Sequence, residues 1–493
     1  MKRSSGILMP VSALPSPYGI GSLGKCARNF VDFLSAAGQT WWQMLPVGMT
    51  SIGDSPYQSP SAYAGNPYFI DLDLLREEGL LTKEEISGSA KNGDPVAVDY
   101  GTLYETRLPL LAKACERMRT TRESEVLSFA DGNQTWLPDH ALFMALKKHY
   151  GMQAFTDWPK EGLRLHRPEA LEAVKEELED DIWLFTCLQY FFFRQWDALH
   201  AYAKERGVRI MGDIALYVAL DSSDVWADSE NFLLDERRLP SMVAGVPPDQ
   251  FTEEGQLWGN PLYDYAYMKK DGFSWWLHRI GGAARLFDAI RIDHFRGIES
   301  FWAVPAGENT AKNGRWVKGP GMDLVGKIKE QFPATQFIAE DLGYPTPEVE
   351  RLLRDSGFPG MKVLEFVFDA RDEEGSLPHT FPENSVCYTG THDNETLKGW
   401  LADAAPEDVA MARTYFGLNR EEGYLKGMLR GGMSSPSVLF IAQMQDYLEL
   451  GKEARMNIPG TKEGNWRWRM LPGQASRELA EKIHRMTALY GRI

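Results

Sequence analysis

Eight short apolar runs, four of which end at a carboxylate, set the tightest limit on how this chain can fold. They centre on Ile7, Trp41, Val208, Ala289, Gln336, Met361, Val386 and Val438, and most intervals after Val208 are long enough for a helix. Strands alternating with helices predict a parallel sheet covered on both faces, and eight such units indicate a (β/α)8 TIM barrel. The clearest run is Ala289-Ile290-Arg291-Ile292-Asp293-His294-Phe295-Arg296-Gly297. As a strand it puts Arg291 and Asp293 on one face and Ile290 and Ile292 on the other. A structural salt bridge would explain this segment alone, but Asp213, Glu340 and Asp393 also stand where strand candidates end. A barrel gathers those ends at one mouth, although they are far apart in sequence.

The second interval is the exception to the rhythm. Residues 74–207 are mainly helical, charged and amphipathic, with no convincing strand. The expected organisation is therefore a catalytic barrel over residues 1–47 and 208–493. Residues 48–207 form a large, mainly helical insertion after the second strand. Its first loop, Asp54-Ser55-Pro56-Tyr57-Gln58-Ser59-Pro60, is rich in turn residues and hydrogen-bonding side chains and is expected to line the site. Residues 244–267 combine Pro247, Pro248 and Asp249 with Phe251, Trp258, Tyr263 and Tyr265, and read as a long aromatic loop over that site. A final helix near residues 477–489 leaves no room for an appended C-terminal β domain.

A net charge of −16 argues against nucleic acid or an anionic membrane as the main partner and favours neutral ligands. Cys26, Cys115, Cys187 and Cys387 are scattered without a C-x-x-C spacing, as expected of free thiols in a reducing compartment. The apolar run 182–193 is too short to span a bilayer and contains Thr186 and Gln189. The first residues lack a signal-peptide core, because Pro10 and Pro15 break it. A cytoplasmic protein is expected.

Clustered carboxylates suit glycoside chemistry, in which one attacks the anomeric carbon while a protonated one donates to the leaving oxygen. Asp293 suits the nucleophile, since Arg291 would favour its ionised form. Glu340 follows Phe337-Ile338-Ala339, so partial burial would raise it towards neutrality, as an acid/base requires. Asp393 would then bind hydroxyls and stabilise positive charge. His294 and His392 adjoin acidic residues and can donate to hydroxyls, although a packed structural histidine is the default for either alone. Three alternatives remain open here: a hydrolytic α-glucosidase or amylase, a Mg-dependent enolase-type enzyme, and a non-catalytic glucan-binding protein. The enolase reading wants a lysine or histidine base at a later strand end, where Asp393 stands instead.

Several motifs carry a family resemblance: Met211-Gly212-Asp213, Arg291-Ile292-Asp293-His294-Phe295-Arg296-Gly297, Ile338-Ala339-Glu340-Asp341-Leu342-Gly343 and Gly390-Thr391-His392-Asp393-Asn394. Together with Ser55-Pro56-Tyr57, Asn66-Pro67-Tyr68 and Asn465-Trp466-Arg467-Trp468-Arg469, they closely resemble the motifs of amylomaltase. Amylomaltase is the bacterial 4-α-glucanotransferase, or disproportionating enzyme, among the α-amylase-like retaining enzymes. The resemblance covers nearly the whole chain, in order. It implies Asp293 as nucleophile, Glu340 as acid/base and Asp393 as transition-state stabiliser. It further implies a donor sugar site lined by Asp213, Arg291, His294 and His392, with Tyr57, Asp249, Trp258 and Phe366 contacting sugar. The implied partners are maltooligosaccharides, amylose or glycogen-derived glucans as donors and glucose as an acceptor, with no metal or organic cofactor.

Overall fold

The computed structural model describes all residues except Met1, residues 90–93, 249–251, 344–345, 372–374 and Lys462, and the side chain of Ile52. Twelve strands occur among the described residues: β1 (Ser4–Leu8), β2 (Trp41–Gln43), β3 (Arg209–Ile214), β4 (Met242–Val246), β5 (Gln256–Pro261), β6 (Ala289–Ile292), β7 (Ser300–Pro305), β8 (Arg315–Lys318), β9 (Gln336–Ala339), β10 (Gly360–Val363), β11 (Ser385–Tyr388) and β12 (Leu439–Gln443). Eight of them form one sheet, in the order β10-β11-β12-β1-β2-β3-β6-β9, and every pair is parallel. The ends of the sheet meet where Ala339 N–H donates to Pro359 O at 3.0 Å and Met361 N–H donates to the Asp341 carboxylate at 2.7 Å. That contact closes the predicted (β/α)8 barrel, and all eight expected strands belong to it.

Parallel strands need long crossovers and bury both faces, which explains the near-continuous apolar runs. β1, β2, β6, β11 and β12 are buried along their whole length. Gly212 in β3 has a packing reason: a Cβ there would lie 2.1 Å from the Phe287 ring. The strand that carries Asp213 can therefore press against the segment leading into β6.

Between β2 and β3 the described residues are helical or irregular, apart from an isolated bridge at Ala97. The helix Glu179–Glu205 contains the apolar run that is too short for a membrane, and no helix among the described residues is long and apolar enough to cross one. Its two buried glutamines do local work. Gln189 bonds both the N–H (2.8 Å) and the C=O (3.0 Å) of Gly65, and Gln195 does the same for Asp71 at 2.7 and 3.2 Å. These amides satisfy both backbone groups of two residues that lie in no strand.

The expectation of one long loop over residues 244–267 is corrected. β4 and β5 pair antiparallel there, and with β7 and β8 they build a second sheet in the order β5-β4-β7-β8. The prolines and glycines dominated the sequence signal, while the partner strand β7 lies beyond β6 and is invisible to local patterning.

Candidate active site

The register of the barrel strands assembles the site. Asp213 on β3 lies opposite Arg291 on β6, and Arg291 lies opposite Ile338 on β9. Asp293 and Glu340 are the residues after the last pairs of β6 and β9. Their backbones continue the ladder, with Asp293 N–H bonded to Ile214 O and Glu340 N–H bonded to Ile292 O, each at 3.0 Å. The two carboxylates therefore leave neighbouring strands at the same level. Asp393 reaches the same mouth from the turn after β11.

Arg291 is the hub. Its side chain is 3% exposed and that of Asp213 is 0% exposed, so this is a fully desolvated pair. One terminal nitrogen donates to both Asp213 oxygens (2.8 and 2.6 Å), while the other reaches Asp293 at 2.9 Å. Tyr57 O–H donates to Asp213 at 2.7 Å and its ring stacks on His392, with centroids 5.1 Å apart. A divalent cation bridging Asp213 and Asp293 would need the position that this guanidinium fills, so the donor set does not fit the enolase-type reading.

Burial raises the Asp293 carboxyl, Arg291 opposes the rise, and the like charges of Asp213, Glu340 and Asp393 add to it. The expectation that Arg291 simply holds Asp293 ionised is thus modified. Glu340 is buried and pushed up to about 7, chiefly by that burial, against Arg291 and two backbone donors. Those donors are His294 N–H at 2.7 Å and Leu342 N–H at 2.8 Å. Both carboxyls are thus raised by burial, and the 2.9 Å contact with Arg291 opposes that rise at Asp293. Asp341 faces away and accepts from Met361 N–H, as the divergence of successive strand residues requires.

His294 adopts φ 51°, an uncommon left-handed backbone for a non-glycine residue, which aims its N–H at Glu340. Burial lowers its imidazole to about 3, so the ring is a neutral hydrogen-bonding group. Trp258 on β5 meets it edge to face, with centroids 4.8 Å apart. His392 is likewise buried and its imidazole lowered by that burial.

Asp393 differs from the other carboxylates. Its side chain is 43% exposed, and it accepts from the neutral amide of Asn457 at 2.6 Å, with the His392 ring nitrogen 3.4 Å away. Among the described residues, Arg455 nearby bonds the Asp393 backbone carbonyl instead of its carboxylate. Of the other expected contacts, Phe366 sits on the single turn Leu364–Val367 after β10 and is 50% exposed. Asp249 lies outside the described residues. Asn457 and Trp466, whose ring lies 5.6 Å from that of His392, were not singled out as site residues from the sequence. Trp466 belongs to the Asn465–Arg469 motif, which was the only sequence signal for this segment.

Comparison with known proteins agrees with this geometry. Residues 9–474 match the family model described as 4-alpha-glucanotransferase. The chain is 46% identical to a 4-alpha-glucanotransferase of Clostridium butyricum over 98% of its own length and 100% of that protein. It is 45% identical to one of Thermus thermophilus over 99% and 98% of the two chains. Among solved structures, amylomaltase from Streptococcus agalactiae in complex with acarbose superposes with a TM-score of 0.97 at 40% identity, covering 100% of both chains. An amylomaltase of Corynebacterium glutamicum shares the fold, with a TM-score of 0.80 at 19% identity over 100% of this chain and 75% of that one. The chain belongs to the 4-alpha-glucanotransferase family.

Proposed function

We propose that Asp293 is the nucleophile, Glu340 the acid/base and Asp393 the electrostatic stabiliser of a retaining transfer between α-1,4-glucans. One observation carries the assignment: Asp293, paired with Arg291, and Glu340, buried and raised to about 7, leave register-matched strands at one mouth. Neighbouring strands lie about 4.8 Å apart, a spacing compatible with the roughly 5–5.5 Å carboxyl separation of double displacement.

In the first step Asp293 attacks the anomeric carbon, the glycosidic bond breaks, and Glu340 gives its proton to the departing 4-oxygen. A β-linked glucosyl-Asp293 ester results. Esterification removes the negative charge of Asp293, which lowers the Glu340 pKa, so Glu340 stays ionised after giving up its proton and is available as the base. In the second step Glu340 takes the proton from the 4-hydroxyl of glucose or of another maltooligosaccharide, which attacks and restores the α-1,4 bond. Asp393, whose carboxylate meets the amide of Asn457, faces the positive charge that develops on the sugar. Asp213, His294 and His392 hold hydroxyls, and Tyr57, Trp258, Phe366 and Asp249 supply the sugar-contacting surface.

On this reading residues 48–207 act as an inserted subdomain whose first loop delivers Tyr57, and the reaction runs in the cytoplasm on maltooligosaccharides, amylose or glycogen-derived glucans. Incubation with maltotriose tests the reaction. Glucose together with maltopentaose and longer chains is expected, whereas chain shortening alone would mark a hydrolase and overturn the proposal.

A further inference from the structure

The carboxylate assigned above to charge stabilisation is oriented from a segment that follows the last barrel strand. Asn457 donates from Nδ2 to Asp393 Oδ1 at 2.6 Å, and Arg455 donates to the Asp393 backbone carbonyl at 2.8 Å. The same guanidinium uses Nε to bond Asn457 O at 2.9 Å and its remaining nitrogen to meet Glu395 at 3.4 Å. Arg455 therefore holds both the backbone of Asp393 and the residue that touches the Asp393 side chain. Glu395 is tied in turn to the chain it sits on, accepting from Thr396 N–H at 2.9 Å. The segment has its own anchors, because Trp466 N–H bonds Met456 O at 2.7 Å and Ile458 N–H bonds Asn465 Oδ1 at 2.9 Å.

The direction of these bonds matters electrostatically. A guanidinium placed on the Asp393 carboxylate would cancel the charge that a developing oxocarbenium ion needs. Here the cation grips the backbone carbonyl and its charge is answered by Glu395, while the carboxylate meets the neutral amide of Asn457 and, at 3.4 Å, the ring nitrogen of His392, whose imidazole is lowered by burial. Orientation is thus obtained without neutralisation.

We infer that Arg455, held by Glu395, is a positioning residue for the transfer reaction, fixing Asp393 through its backbone carbonyl and through Asn457. The inference rests on Asp393 acting as the stabiliser. A double-mutant cycle on purified full-length enzyme with maltotriose tests it. R455A is expected to lower kcat about 10- to 100-fold, the scale of a misplacement near 1 Å, with KM changed by less than about twofold. R455K, which keeps the charge but not the three-way fork, should recover only part of the loss. In a D393N background, R455A should cost less than about twofold, because the group it positions is already gone. E395Q should give a smaller loss in the same direction, also absent in D393N, and carries the test if R455A does not fold. A full R455A penalty in D393N, or unchanged kcat in R455A and E395Q with Asp393 intact, overturns the inference while leaving the site assignment standing. Wild-type rates for D393N would overturn the stabiliser role itself, and the inference with it.

Discussion

Arg291 serves two carboxylates from inside the barrel, and its substitution exposes the cost of that arrangement. R291M would leave Asp213 and Asp293 facing each other without a cation in a desolvated setting. Breaking such a buried pair costs roughly 3–5 kcal/mol, so a lower thermal unfolding midpoint is expected along with loss of transfer. An unchanged midpoint in scanning calorimetry would mean that the pair is not the structural hub described here. The second expectation at this scale concerns protons. Glu340, near 7, must be protonated for the first step, so kcat/KM should fall as the pH rises through that value, while protonation of the raised Asp293 carboxyl should lower it again on the acid side. A flat kcat/KM between pH 6 and about 9 would contradict Glu340 as the acid. Legibility also differed residue by residue. Asp213, Asp293 and Glu340 stood out because each stands where an apolar strand candidate ends, whereas Asn457 and Arg455 lie in irregular chain where no such run exists to betray them.

At the scale of elements, two pieces that the sequence rendered unequally well decide what surrounds the carboxylates. The segment from Gly65 to Asp71 is pinned to the helix Glu179–Glu205 by Gln189 and Gln195. Q195L leaves the Asp71 N–H and C=O without those partners. A loss of about 1–3 kcal/mol is expected, read as a lower midpoint of urea unfolding. Gln189 reads from the sequence only as an argument against a membrane span; its partner Gly65 is distant, so its purpose was hidden. The small antiparallel sheet was hidden for a similar reason, its strands β5 and β8 being separated in the chain by β6 and β7. It carries Trp258 to His294. W258A should admit water and raise the ratio of hydrolysis to transfer, measured as reducing ends gained per oligomer formed from maltotriose. An unchanged ratio would remove this aromatic from the account of why transfer prevails.

For the whole molecule, the barrel was legible because parallel strands are buried on both faces and therefore read as short continuous apolar runs. Eight of these in rhythm left few other architectures. What the rhythm could not convey was that burial raises the Asp293 carboxyl as well, since that depends on several strands at once. The central claim is that Asp293 becomes covalently glycosylated while Glu340 supplies and removes the proton. It is tested most directly with E340Q and an α-maltosyl fluoride donor, whose fluoride departs without acid assistance. The quenched protein is then digested and the modified peptide sequenced by mass spectrometry. A maltosyl ester on Asp293 is the expected result; an adduct on another residue, or no adduct together with release of a β-configured product, would contradict the account.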